Sequence, residues 1–352
     1  MSKQEPAESG AAPTPLHPPL QKEFAAPNTR EDTLEVPGEV RLHHGGVLTG
    51  VSLAWRMVGP AAAPIVVALG GISANRRVCV PQEPRAGWWN EVVGAGLALD
   101  SDRYRILSFD YLGGSADSTG PKAGGEFPTI STYDQAELLV RLLNHLGIKS
   151  LKSIVGASYG GMVALAFGER YPERVERLLV VSAADRPHPM ASAWRSVQRR
   201  IIRLAAASGR ATDGLELARA LAMATYRSPE EFAARFAGAP RRDDDGHFVL
   251  PVEDYLFARG SDYARRYLPE SFLALSESID LHRVEAARIF VPTFAVAVAE
   301  DQMVPVADVR AMVARLPSAE VHEISSVYGH DAFLKEHRKL ARVFAHTLEG
   351  DA

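Results

Sequence analysis

Residues 154–162 read Ile154-Val155-Gly156-Ala157-Ser158-Tyr159-Gly160-Gly161-Met162: an apolar run ending in Gly-x-Ser-x-Gly, with a helix-like segment after it. A serine hydroxyl is a weak nucleophile until a base takes its proton, and the base needs a third group to hold its tautomer. The spacing fits a strand-to-helix turn so tight that the residues two before and two after the serine must be nearly free of side chain. Gly156 and Gly160 meet that demand, and the turn lifts the Ser158 hydroxyl clear of a sheet. A bare Gly-x-Ser-x-Gly arises often by chance, so its partners decide what it means.

In the α/β-hydrolase arrangement of this turn the chain order is serine, acid, histidine. An apolar run at 292–298 leads into Ala299-Glu300-Asp301, a loop position suited to the acid. Asp301 is the candidate; Glu300 is its rival, and Asp301 could instead cap the helix that follows. A further run ends near Ser325 and leads to Tyr328-Gly329-His330. Of eleven histidines, His330 is the one in a glycine-flanked loop after the last predicted strand. An oxyanion hole needs two backbone N–H groups aimed at the developing charge. One is expected from Tyr159, next to the nucleophile. The other is expected from Gly71, after the apolar run Ile65–Leu69. Together these residues describe acyl transfer through a serine ester, with the acceptor unspecified.

The elements around them must hold that set in place. Strands are predicted near 65–69, 104–109, 153–155, 175–182, 289–298 and 320–324, and helices at 131–146, 159–171 and 306–316. Short antiparallel strands between 35 and 58 turn at Gly45-Gly46. Alternating apolar strands and amphipathic helices predict a doubly wound, mostly parallel sheet: an α/β-hydrolase fold. The alternation stops after Ala183, and about a hundred mainly helical, arginine-rich residues follow. The predicted organisation is a disordered tail at 1–34, an α/β core at 35–185 and 288–352, and a helical lid at 186–287. A lid there would cover the carboxyl ends of the strands, where open α/β sheets bind ligands.

Bulk properties narrow the partners. The 352 residues are 46% hydrophobic and 23% charged, with a net charge of -4. Neither nucleic acid nor an anionic membrane is expected as a partner, and no run approaches the roughly 20 apolar residues that span a bilayer. A single cysteine, Cys79, excludes an internal disulfide and suits a cytoplasmic location. The Pro- and Ala-rich N-terminus lacks the apolar centre of a signal peptide.

Several further segments carry a resemblance. Ala86-Gly87-Trp88-Trp89 with Val93-Gly94-Ala95-Gly96, Leu112-Gly113-Gly114 through Pro121, Phe127-Pro128-Thr129-Ile130, and Ser158-Tyr159-Gly160-Gly161-Met162 occur in order. Val197-Gln198-Arg199, Ala218-Arg219 through Thr225-Tyr226-Arg227, Val252 through Leu256, and Gly329 through Leu334 follow them. In these the chain resembles the homoserine O-acyltransferases of methionine biosynthesis, the MetX-type α/β-hydrolase enzymes. The resemblance implies Ser158, Asp301 and His330 as a catalytic triad, and a ping-pong transfer from acyl-CoA to the hydroxyl of L-homoserine. It implies that Arg219 and Tyr226 contact the acceptor and that Asp331 receives its ammonium group. A zwitterion does need a cation and an anion close together, and arginine can fork onto the carboxylate. No metal and no bound cofactor are implied; acyl-CoA is a co-substrate, and a homodimer formed through the lid is implied.

The chain also departs from the pattern. Leu69 through Arg77 read LGGISANRR where the acetyltransferases have HALTGxSH; Ala157 and Tyr159 replace Gly and Met, Ser115 replaces Cys, and Asp110 replaces Asn. Arg76 and Arg77 follow the oxyanion loop, and one of them is expected to receive the carboxylate of a succinyl group, unless both are surface arginines. Succinyl-CoA is therefore favoured over acetyl-CoA. Serine as acceptor, an esterase using water, and a non-catalytic binding protein are the alternatives.

Overall fold

The computed structural model describes residues 29–80, 83 and 86–349. The strands are β1 Thr29–Glu35, β2 Glu39–Arg41, β3 Val47–Thr49, β4 Ser52–Val58, β5 Ile65–Leu69, β6 Val93–Gly94, β7 Leu99–Asp100, β8 Arg105–Phe109, β9 Ser153–Ala157, β10 Leu178–Val181, β11 Arg241–Arg242, β12 Phe248–Val249, β13 Thr293–Val298 and β14 Ala319–Ile324. Eight of these form one sheet in the order β1-β4-β8-β5-β9-β10-β13-β14. Pairings from β8 through β14 are parallel, while β1–β4 and β4–β8 are antiparallel.

The helices are α1 Thr132–His145, α2 Tyr159–Arg170, α3 Pro189–Ala206, α4 Ala211–Tyr226, α5 Pro229–Phe236, α6 Pro251–Ala264, α7 Pro269–Asp280, α8 Val306–Val313, α9 Ala332–Lys335 and α10 His337–Glu349. Local chemistry sets several of their ends. Ser131 caps α1 through a reciprocal box with Asp134, whose carboxylate accepts from the Ser131 N–H at 2.7 Å. Gly147, at φ +69°, stops the same helix. Helices α3–α7 all lie between β10 and β13.

Both faces of the sheet are covered, as apolar strands without alternation require. Val67, Ile154, Val180 and Ala295 pack on one side with Leu139 of α1 and Val163 of α2. Val66, Val155, Val181 and Val296 pack on the other with Leu340 and Phe344 of α10. Among the described residues no helix is long and apolar enough to cross a membrane. Cys79 is free and buried, and burial pushes its thiol up to about 11, so it carries no thiolate at neutral pH.

Two expectations need correction. The disordered tail was drawn through residue 34, but Thr29–Glu35 form the edge strand β1, paired antiparallel with β4; residues 1–28 lie outside the described residues. A polar edge strand exposes one face to water and needs only backbone pairing, so polar composition there does not mean disorder. Side chains add to it. Glu31 accepts from Arg56 at 2.6 Å, and Arg30 lies over the Trp55 ring at 5.0 Å.

The second correction concerns Arg76 and Arg77 as receptors for an acyl carboxylate. Arg76 is already bound by three carboxylates: Glu31 at 2.8 Å, Asp117 at 2.7 Å and the fully buried Asp110. Its own backbone N–H also donates to Asp110 Oδ1 at 2.6 Å. A cation so compensated has no attraction left for another anion. Arg77 is half exposed, lies 3.8 Å from Glu31, and neither arginine lines the cavity at Ser158. Arg76 ties β1, the loop after β5 and the loop after β8 together. Arg76→Ala is therefore expected to leave Asp110 as a buried unpaired charge and to lower the unfolding free energy by about 3–5 kcal/mol. The preference between acyl donors should not change. A urea midpoint equal to that of the unsubstituted chain would contradict this.

Candidate active site

The turn from β9 into α2 places Ser158 at φ 54°, ψ −121°, a strained conformation for a residue with a side chain. Steric crowding shows why its neighbours are glycines. A Cβ on Gly156 would lie 2.2 Å from the Gly160 carbonyl oxygen, and one on Gly160 would lie 2.5 Å from the Leu69 backbone. Ser158 Oγ is 2.9 Å from His330 Nε2, and His330 Nδ1 is 2.8 Å from Asp301 Oδ2. An ionised Asp301 can only accept, so the imidazole proton sits on Nδ1, and Nε2 is left to accept from the serine hydroxyl.

Asp301 is fixed by its own loop. Its Oδ1 accepts from the Met303 and Val304 N–H groups at 2.8 and 3.0 Å, leaving Oδ2 for the imidazole. Glu300 turns the other way, accepting from Ser325 Oγ at 2.5 Å and the Ser326 N–H at 2.6 Å. The rival acid thus holds the histidine loop in place and does not touch the ring. Burial opposes charge on His330, but the carboxylates of Asp301 and then Asp331 outweigh it, and the net shift of its pKa is upward.

The peptide joining Gly70 to Gly71 is held from one side. The Gly70 carbonyl accepts from the Gly160 N–H at 2.9 Å and from the Tyr111 hydroxyl at 2.7 Å. A trans peptide directs its N–H opposite to its C=O, so the Gly71 N–H is turned away from those donors. Gly71 borders the serine: a Cβ there would be 3.9 Å from Ser158 Oγ. Among the described residues neither the Gly71 nor the Tyr159 N–H donates to a protein acceptor. The Tyr159 ring is buried, stacks edge-on against Tyr111, and its hydroxyl lies 2.8 Å from Ser278 Oγ in α7.

Ser158 and His330 open into a cavity of about 180 Å³, closed by the helices between β10 and β13. Arg219, Tyr226 and Asp331, the residues implied by resemblance, all line it. The Tyr226 ring lies 5.8 Å from the His330 ring. Arg219 has no carboxylate partner among the described residues; its guanidinium sits over the Tyr263 and Tyr226 rings at 4.6 and 5.3 Å. Asp331 stands at the N-cap position of α9 but its side chain makes no capping bond; its Oδ2 accepts from Arg227 Nε at 2.8 Å, leaving Oδ1 open. Arg227 also pairs with Glu231 at 3.1 Å. Gly329, at φ +53°, permits this assembly, because a Cβ there would strike the Tyr226 carbonyl at 2.7 Å.

Sequence reading did not single out Arg195, and named Gln198 only within the Val197-Gln198-Arg199 segment, with no role at the site. Both lie on the buried stripe of α3 formed by Ala191, Arg195, Gln198 and Ile202, and both line the Ser158 cavity. Arg195 pairs with Asp280 at 2.7 Å, yet Asp280 is shared with Arg199 at 2.6 Å, so the group keeps one positive charge. Gln198 Nε2 and Ser182 Oγ are buried on the same wall without a hydrogen-bond partner. The signal for them was the mixing of Arg and Gln into an apolar helical stripe. Elsewhere, Glu320, His322 and His346 bring potential metal-ligand atoms within 4.8 Å of one another, on β14 and α10 and not at Ser158.

Comparison with known proteins agrees with this geometry. A family profile described as alpha/beta hydrolase fold matches residues 64–336. Homoserine O-succinyltransferase of Xanthomonas campestris pv. campestris is 44% identical over 286 residues, covering 81% of this chain and 75% of that protein. Homoserine O-acetyltransferase of Clavibacter michiganensis subsp. michiganensis is 34% identical, covering 90% of this chain and 92% of that protein. The crystal structure of esterase E22 superposes with a TM-score of 0.82 over 91% of this chain and 100% of that chain, at 19% identity, a likeness of fold alone.

Asp331→Asn removes one of the two anions that favour imidazolium at His330 and leaves Arg227 less compensated. Ring-proton NMR is expected to show His330 titrating at lower pH in this variant than in the unsubstituted chain. Any activity that needs neutral His330 should keep its acid limb to correspondingly lower pH. An unmoved titration would mean that Asp331 does not act on the ring.

Proposed function

The chain belongs to the α/β-hydrolase family and, within it, to the homoserine O-acyltransferases; on that premise we propose that it moves a succinyl group from succinyl-CoA to the hydroxyl of L-homoserine through an ester on Ser158. In this reading His330 takes the Ser158 proton as Oγ attacks the thioester carbon. The tetrahedral oxyanion rests on the Gly71 and Tyr159 N–H groups. The C–S bond then breaks, and the thiolate leaves with the proton held by His330. Homoserine enters, its hydroxyl gives its proton to His330 and attacks the acyl carbon, and the Ser158 C–O bond breaks as that proton returns to Oγ. Asp301 keeps the imidazole tautomer throughout. No metal or bound cofactor has a role in these steps.

One observation carries the choice of substrates: the wall of a single small cavity holds two cations that are not fully compensated, Arg195 and Arg219. Two substrate carboxylates account for two cations. Arg219, facing Asp331 across the pocket, suits the α-carboxylate of the amino acid, with Asp331 Oδ1 for its ammonium group. Arg195, with the unpartnered Gln198 Nε2 and Ser182 Oγ, suits the terminal carboxylate of a succinyl group and takes the role first expected of Arg76 or Arg77. An acetyl group would leave Arg195 with only its share of Asp280. A location in the cytoplasm fits the single buried thiol. A homodimer through the lid fits the exposed Val197, Leu204 and Leu217 of α3 and α4.

Mass spectrometry after mixing with each acyl-CoA is expected to find succinyl on Ser158, discharged by homoserine faster than by serine or water. Gln198→Leu and Arg195→Met should lower kcat/KM for succinyl-CoA by about 10–100-fold, the scale of a hydrogen bond to a charged group, and for acetyl-CoA by much less. If acetyl-CoA is the better donor and neither substitution discriminates, the donor assignment fails. For the dimer, Leu204→Glu is expected to halve the mass seen by light scattering; a monomer before substitution would refute it.

A further inference from the structure

Beyond the Ser158 cavity lies a second, wider one of about 1230 Å³. Trp88, Arg219, Asp331 and Leu334 line both, so they surround the passage from one to the other. The outer cavity is bordered by residues from α4–α6 and α9, and its charges are unevenly matched. Arg227 and Arg235 share Glu231, and Arg227 also holds Asp331. Asp254 is taken by Arg241, while Glu91 lies 3.1 Å from His337, a histidine and not a fixed cation, and so stands as an anion at one side of the rim. Asp262 is shared by Arg259 and Arg265, so that group keeps a positive charge. Arg266 and Lys335 have no carboxylate partner among the described residues; the Arg266 guanidinium donates to the Asp262 carbonyl at 3.1 Å and lies over the Tyr267 ring at 5.8 Å. The mouth of the site therefore carries unmatched positive charge at Arg266, Lys335 and the Arg259–Asp262–Arg265 cluster.

We propose that this rim binds the phosphate groups of the donor's nucleotide portion, with Arg266 and Lys335 as the principal contacts and Arg259 as a third. The inference rests on the reading that the donor is a CoA thioester, and it adds where the nucleotide sits. A pantetheine arm is long, thin and weakly polar, and the passage between Trp88 and Leu334 suits it. The acyl end then lies at Ser158 while the phosphates stay in the outer cavity, where water screens but does not cancel their attraction to arginine and lysine. Guanidinium also offers phosphate a two-pronged match. Placing charge recognition at the rim leaves the inner cavity free to read the acyl group alone. It also lets CoA leave after the first half-reaction without disturbing Arg219, which the acceptor then needs.

The test compares succinyl-CoA with succinyl-pantetheine, which has the thioester and no phosphate, on the unsubstituted chain and on Arg266→Gln/Lys335→Gln. Both positions are exposed, and thermal unfolding checks that the fold is kept. The double substitution is expected to raise KM for succinyl-CoA on the order of tenfold or more and to flatten its rise with salt, with kcat little changed. Turnover of succinyl-pantetheine should be unaffected. Equal losses on both donors, or no loss on either, overturn the proposal. Titration with free CoA and free pantetheine gives a reading that needs no turnover. If neither thioester is a substrate, the proposed reaction fails, while tighter binding of CoA that the double substitution abolishes would still support the rim. CoA binding no tighter than pantetheine would sink it.

Discussion

The backbone of Gly160 lies so close to the end of β5 that no side chain fits between them, and the N–H of Gly160 donates to the carbonyl of Gly70 across that contact. The contact joins two requirements that could otherwise be met only separately. It pins the first turn of α2, which raises Ser158 out of the sheet at a strained φ. It also fixes the orientation of the Gly70–Gly71 peptide, whose N–H is turned away from that bond. The Tyr111 hydroxyl adds a second bond to the same carbonyl, and Tyr111 is itself packed against Tyr159. Strain at a nucleophile persists only where surrounding structure over-determines it. Here three backbone segments and two buried aromatic rings do so.

Three arginines near the site show how charge compensation decides role. Arg76 is held by three carboxylates and is a structural tie. Arg195 shares one carboxylate with Arg199 and retains part of its attraction for an anion. Arg219 has no carboxylate within ion-pair distance among the described residues, although Asp331 acts on it from across the pocket, and it sits on two tyrosine rings, which steady a cation at a modest ~0.5–2 kcal/mol without neutralising it. A half-satisfied buried cation costs stability until an anion arrives, so the ligand completes a group that the fold leaves open. Proximity in sequence to Gly71 favoured Arg76; compensation in space favours Arg195 and Arg219.

That contrast also marks what was legible in the chain. Ser158, Asp301 and His330 could be found because each comes soon after a predicted strand, and parallel strands bring their carboxyl ends to one edge. Choosing Asp301 over Glu300 was possible from position, but the reason lies in Ser325 and Ser326, which engage Glu300 from another strand end. The partners of Arg76 could not be read, because Glu31, Asp110 and Asp117 come from segments far from it in the chain. The strand β1 was missed because edge pairing leaves no apolar period when both faces are polar. Arg227 stood beside Tyr226 in a recognised segment, yet its hold on Asp331 depends on how α4 meets the loop after β14. Gln198 was seen only as part of a segment of resemblance and Arg195 was not singled out; the packing of α3 on α7 is what turns them inward.

Transfer to homoserine in preference to water needs more than exclusion of solvent, since any acceptor pocket admits some. Holding the acceptor hydroxyl in an attacking pose converts a bimolecular step into a unimolecular one, equivalent to local concentrations of about 10⁵–10⁸ M for well-oriented groups. A water molecule has no charges for the proposed acceptor contacts, Arg219 and Asp331, to grip and gains none of this. The same helices that shut the cavity carry Arg219, Tyr226 and Ser278, and Ser278 is bonded to the hydroxyl of Tyr159 beside the nucleophile. Helix α7 is thereby joined to the first residue of α2, whose N–H is one of the two proposed oxyanion donors.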